Sequence, residues 1–174
     1  MIKRLTLAVP VLLACALLTG CSTVEKKAAE VRDRTLMQEG TQKTSSHILD
    51  MIALKGKVTK PGPGPLPCED YEPEGKVLRM RHDWSLYDLP FENLEKAYAT
   101  LRTALPKNGW KITSDGPDES KAKTPTMRAN SPDGDFAVEL QLMDNRNEKD
   151  PTSVLAVTVV SRCFQSAPAA STTP

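Results

Sequence analysis

Thiols and imidazoles, the side chains that most often carry zinc ligation or base-assisted nucleophilic attack, are few in this sequence: Cys15, Cys21, Cys68, Cys163, His47 and His82. Their spacing matches no catalytic arrangement. There is no Cys-x-x-Cys, no His-Glu-x-x-His, no Gly-x-Ser-x-Gly and no glycine loop of the kind that cradles phosphate. A Ser-His-Asp or Cys-His device would have to use His47 or His82, and neither histidine stands at ligand spacing from a cysteine, as zinc would require. Asp133 and Asp135 flank Gly134 in a turn signal, whereas a buried acid/base pair needs desolvation to raise a pKa. The acidic run from Glu69 to Glu74 has the composition of a calcium loop, but Pro73 breaks the regular ligand positions that calcium demands. The expectation is a protein that is not an enzyme and carries no metal and no cofactor.

The amino terminus directs everything that follows. Lys3 and Arg4 precede an apolar run from Leu5 to Leu18, which ends in the small residues Thr19 and Gly20; those are the three zones of an export signal. The run is interrupted by Pro10 and is short of the about 20 apolar residues a membrane span needs. Leu18-Thr19-Gly20-Cys21 resembles the lipobox of bacterial lipoproteins at each of its four positions. That resemblance implies cleavage before Cys21 and lipid on its sulfur, placing the chain at the cell membrane on the extracytoplasmic face. Each buried methylene contributes about 0.8 kcal/mol, so two or three acyl chains anchor stably where one does not.

Export also settles the cysteine arithmetic. Cys15 leaves with residues 1–20 and Cys21 carries the lipid, so Cys68 and Cys163 remain in an oxidising compartment and are expected to pair. Such a bond would close a loop worth about 4–5 kcal/mol in the chain-entropy model. The competing reading, two metal-binding thiolates, has no histidine partners at suitable spacing. The mature chain keeps 154 of the 174 residues, with 21 basic against 22 acidic side chains. Near-neutrality leaves no basic stripe for nucleic acid, and the length suits one domain with tails.

Residues 21–44 are polar and lack aromatics, as a lipidated cysteine and its tether would be. A single domain is expected over residues 45–165, followed by a small, Ser/Thr/Pro-rich tail over residues 166–174, expected to be disordered. The domain should open with a short helix, where Ser45 or Ser46 caps Ile48, Met51 and Ile52. Pro61, Pro63, Pro65 and Pro67 then argue against helix and sheet alike. From Lys76 to Leu86 apolar and polar residues alternate, which predicts a half-buried strand with His82 on its apolar face. A lone histidine there is more often a packing residue than a catalyst. A long helix follows, with Leu94, Ala97, Tyr98, Leu101 and Leu105 on one stripe. Trp110 begins a second strand, Ser131-Pro132-Asp133-Gly134 predicts a hairpin turn, and the β-branched run Val154 to Val160 predicts a central strand.

One amphipathic helix and hairpin-linked strands predict a two-layer α+β fold: an antiparallel sheet of four to five strands packed on one long helix. The order resembles the cystatin-like arrangement, with a ferredoxin-like split second. Trp84, Tyr87 and Phe91 gather where the first strand passes into the helix and form a candidate binding surface, since aromatic anchors mark such surfaces; the competing reading puts them in the core. The layout resembles that of small lipobox proteins of high-GC Gram-positive bacteria. The expected role is a membrane-anchored binding or interaction module, its partner an exported protein or cell-envelope component. The alternative is a carrier of a small or lipidic ligand in a groove between helix and sheet, and a hydrolase comes last.

Overall fold

The computed structural model describes residues 28–59, 61–69, 71 and 77–167. The signal, Cys21 and most of the carboxyl-terminal tail lie outside the described residues. Within them, the chain forms nine strands and two helices. In order these are β1 (Glu30–Arg32), α1 (Arg34–Ile52), β2 (Lys57–Val58), β3 (Gly64–Pro67), β4 (Val77–Tyr87), α2 (Phe91–Lys107), β5 (Lys111–Pro117), β6 (Pro125–Asn130), β7 (Phe136–Met143), β8 (Val154–Ser161) and β9 (Phe164–Ser166). The sheet runs β1-β9-β4-β8-β7-β6-β5, with β2 and β3 also paired to β4. It is mixed, because β1 lies parallel to β9 while the other pairs are antiparallel.

This corrects the expectation of one long helix on four to five antiparallel strands, whether cystatin-like or ferredoxin-like. The additional helix is α1, which spans 19 residues and begins at Arg34 with Asp33 as its cap, the carboxylate accepting from the Leu36 amide at 2.9 Å. Its inward positions are Met37, Thr41, Ser45, Ile48 and Ile52. Thr41 and Ser45 interrupt the apolar stripe that sequence periodicity relies on, so only the last turns of the helix were legible. The folded unit thus extends upstream of Ser45, into residues expected to form the tether.

The extra strands are short or atypical. β3 contains Pro65 and Pro67, yet pairs with Leu78 to Arg81. The Cys68 amide donates to the Val77 carbonyl at 3.1 Å. The same parity turns the Leu66 and Gly64 amides toward β4 and leaves the prolines facing away from the ladder, where a missing N–H costs nothing. β9 continues β8 after an interruption at Arg162 and Cys163. Leu78 pairs with Pro67 on one side and Phe164 on the other, so β3 and β9 flank the start of β4. Cys68, just past β3, and Cys163, just before β9, form a disulfide there with Cα atoms 6.2 Å apart. The expected bond is present, and it ties together the two strands on either side of β4.

Both helices cover the same sheet face. Trp84, Val157, Leu140 and Met127 form one cross-strand row of it, and Leu86, Leu155 and Leu142 another. Ile48 and Ile52 from α1, with Leu94, Ala97, Leu101 and Leu105 from α2, close the main core. Burying each of these Leu and Ile side chains contributes about 1.5–3 kcal/mol. Met37, Met80 and Phe164 form a second, smaller cluster. Between the two clusters lies a polar band: Thr41 and Ser45 fall between Met37 and Ile48 on α1, and His82 falls between Met80 and Trp84 on β4. The opposite sheet face is polar, with Asp83, Thr158, Glu139 and Arg128 in cross-strand register.

Local rules explain the remaining joints. Gly134 adopts a positive φ in the β6–β7 turn, where its amide donates to Ser131 at 3.0 Å. α2 ends through Gly109, also at positive φ. Pro90 precedes the first turn of α2. Asp88, two residues before Pro90, pairs with Lys57 at 3.0 Å. The α2–β5 seam is fixed by Arg102, whose Nε donates to Asp115 at 2.6 Å while the guanidinium lies over the Tyr98 ring.

Candidate functional site

The polar band opens into a groove. A cavity of about 400 Å³ lies between α1 and β4, bordered by Thr59, Pro61 and Gly62, with Ser45, Leu49, Val58, His82 and Trp84 also among its lining residues. Drug-sized ligands bind in clefts of about 300–1,000 Å³. A second cavity, of about 570 Å³, shares Gln42 and Gly62 with the first and continues along α1 to Thr35 and Pro63. The groove therefore runs beside most of the helix.

Strand alternation places His82 and Trp84 on the helix-facing side of β4, and the spacing of four residues places Ser45 beneath Thr41 on α1. Ser45, His82 and Trp84 are 2%, 5% and 4% exposed. Each carries a buried polar atom without a hydrogen-bond partner among the described residues: Ser45 Oγ, His82 Nδ1 and Trp84 Nε1. One further atom is in this state, Arg32 Nε, within the ion-pair cluster at β1. Leaving such a group unpaired costs about 1–3 kcal/mol, and three of the four residues that bear this cost among the described residues line the same groove.

The donor and acceptor roles follow from the geometry. His82 Nε2 lies 2.7 Å from the Pro61 carbonyl oxygen. A carbonyl only accepts, so Nε2 bears the hydrogen, and in the singly protonated ring Nδ1 is left as an acceptor. Trp84 Nε1 only donates; the Ser45 hydroxyl does either. Thr41, on the same band, is satisfied, its hydroxyl donating to the Met37 carbonyl at 2.7 Å. Thr59 is likewise engaged, its Oγ1 accepting from the Ser85 amide at 2.9 Å. No carboxylate, ammonium or guanidinium lines the first cavity among the described residues; Glu39 and Lys43 belong to the second.

The three aromatic residues expected to form a binding surface are distributed. Trp84 forms part of the groove. Tyr87, at the end of β4, is half-buried with the opposite parity from Trp84, which puts it on the other sheet face. Phe91 borders the main core and a separate shallow cavity of about 480 Å³, with the Arg146 guanidinium 4.2 Å above its ring. His82 lies buried on the apolar face of β4, where it was expected, with Nδ1 left over. Sequence reasoning missed Ser45 as a site residue, having read it as a cap. The available signal was two small hydroxyl residues, four apart, on the inward side of a helix that had not been traced far enough upstream.

Among the described residues no three His, Cys, Asp or Glu side chains converge on a metal position, and no helix is long and apolar enough to cross a membrane. No protein family, curated protein or solved structure matches the chain.

Proposed function

We propose that this chain is an exported lipoprotein, held to the membrane through lipid on Cys21, whose domain binds a small molecule in the groove between α1 and β4. The observation that carries the binding role is that Ser45, His82 and Trp84, three residues with an unpartnered buried polar atom, all line one cavity of ligand size. Of the two binding roles among the three that the sequence left open, small-ligand carrier and protein-binding module, the groove supports the carrier. The aromatic surface on which a protein partner would have docked is split between two sheet faces and the start of α2.

Binding rather than catalysis is supported by the same atoms. His82 Nε2 is occupied by Pro61, and Ser45 Oγ makes no hydrogen bond to the ring. A serine nucleophile needs its base within about 2.6–3.2 Å. The anchor and the disulfide suit a carrier that works outside the cytoplasm and must keep its shape there.

Native mass spectrometry of the lipidated protein, taken from its own membrane in mild detergent, tests the reading. The expected result is one constant mass increment per chain, absent from a Leu49→Trp variant that fills the groove. Bare protein alone, together with full biological function in Leu49→Trp, would overturn it.

A further inference from the structure

The chemistry of the groove defines the group it takes. We infer that the first cavity binds an uncharged head group that both accepts and donates a hydrogen bond, such as a primary carboxamide or a sugar-type hydroxyl. The inference rests on the groove being the binding site.

Three observations lead there. Trp84 Nε1 is a fixed donor and requires an acceptor on the ligand. In the neutral ring, whose one hydrogen the Pro61 carbonyl holds on Nε2, His82 Nδ1 requires a donor on the ligand. Ser45 completes either role. A carboxamide satisfies the first two at once, its oxygen toward the indole and its NH₂ toward the imidazole, and a hydroxyl does so with a single atom. A carboxylate has no hydrogen to offer Nδ1, and an ammonium has no lone pair for the indole. Neither ion finds a counter-charge among the described residues that line this cavity, and an uncompensated ion in a partly apolar cleft is costly.

The remainder of the ligand has one direction to run. Beyond Gln42 and Gly62 the groove continues between α1 and Pro63, where Glu39 and Lys43 stand at its edge. A charged group belongs at that end of the ligand and not at the buried one. The three buried atoms are covered in this conformation, so the head group enters by a side-chain-scale widening of the groove.

The chain has two tryptophans, which makes the test specific. In a proton–nitrogen NMR spectrum, Trp84 and Trp110 give two indole N–H signals, assigned with Trp84→Phe. Propionamide, propionate and propylammonium are titrated separately into the mature domain. Propionamide should move the Trp84 signal saturably and leave Trp110 in place, and the two ions should bind about tenfold more weakly or worse, as expected when a buried polar group is left unpaired. His82→Phe should remove the preference for the amide.

If propionate or propylammonium moves Trp84 as readily as the amide, the uncharged head group is refuted while the groove stands as a binding site. Silence from all three probes also overturns the inference, and the co-purifying mass increment then decides the groove independently.

Discussion

Ser45→Ala should make the ligand-free domain more stable, although it removes a polar contact surface from the proposed site. Ser45 is 2% exposed, and its Oγ has no partner among the described residues. Burying an unpaired hydroxyl costs about 1–3 kcal/mol, and Ala exceeds Ser as a helix former by about 0.5 kcal/mol. Against this, losing one oxygen leaves a void on the order of 10 Å³, worth about 0.3 kcal/mol. The net gain is about 1–3 kcal/mol, or roughly 3–9 °C in melting temperature for a domain of this size. Thr41→Val is the control on the same helix face. Its hydroxyl is already bonded to the Met37 carbonyl, so removing it should cost about 0.5–1.5 kcal/mol. Urea unfolding followed by tryptophan fluorescence, with the disulfide intact and the slope unchanged, separates the two signs. A loss of stability in Ser45→Ala would show that the hydroxyl has a native partner, and the argument for an unmet polar site at that position would fall.

The Cys68→Ala/Cys163→Ala pair opens a crosslink between residues 95 apart and should lower stability by about 4–5 kcal/mol in the chain-entropy model; an unchanged urea midpoint would show that the loop constraint contributes nothing. Burial, helped by the Asp115 carboxylate, pushes the Tyr98 hydroxyl up to about 12. The folded state therefore keeps a proton that the unfolded chain releases near pH 10, and this contribution is full below that pH and is lost as pH rises through about 12. Ultraviolet titration of Tyr98→Phe should lack the most alkaline tyrosine component, and an unaltered titration would refute the assignment. Gly109→Ala forces a positive φ on a residue with a Cβ that would meet Pro132 Cγ at 2.9 Å, so stability measured by thermal unfolding should fall by at least about 1–2 kcal/mol. Cys21→Ser should move the protein from the detergent phase to the aqueous phase on phase separation; unchanged partitioning would remove the lipid anchor.

Much of this protein was written in local pattern, and the parts that were not share a physical cause. Alternation over Leu78 to Leu86 and over Phe136 to Leu142 marked β4 and β7, the stripe from Leu94 to Leu105 marked α2, and the Pro-Asp-Gly turn marked the β6–β7 hairpin, because each element needs only its own residues to state its period. Cys68 and Cys163, expected to pair because the amino terminus reads as an export signal, do form a disulfide. Tertiary structure decided what depends on partners from far along the chain. β1, β2 and β9 are two or three residues long, too short to carry a period, and exist because β9 and β4 offer ladders for them. β3 tolerates its prolines because they alternate along a strand paired on one side only. α1 hid its polar inward face until β4 brought His82 and Trp84 opposite Thr41 and Ser45. A site made of unmet hydrogen bonds has no sequence signature, since whether Ser45, His82 and Trp84 are satisfied is a property of the packed chain and of none of the three residues alone.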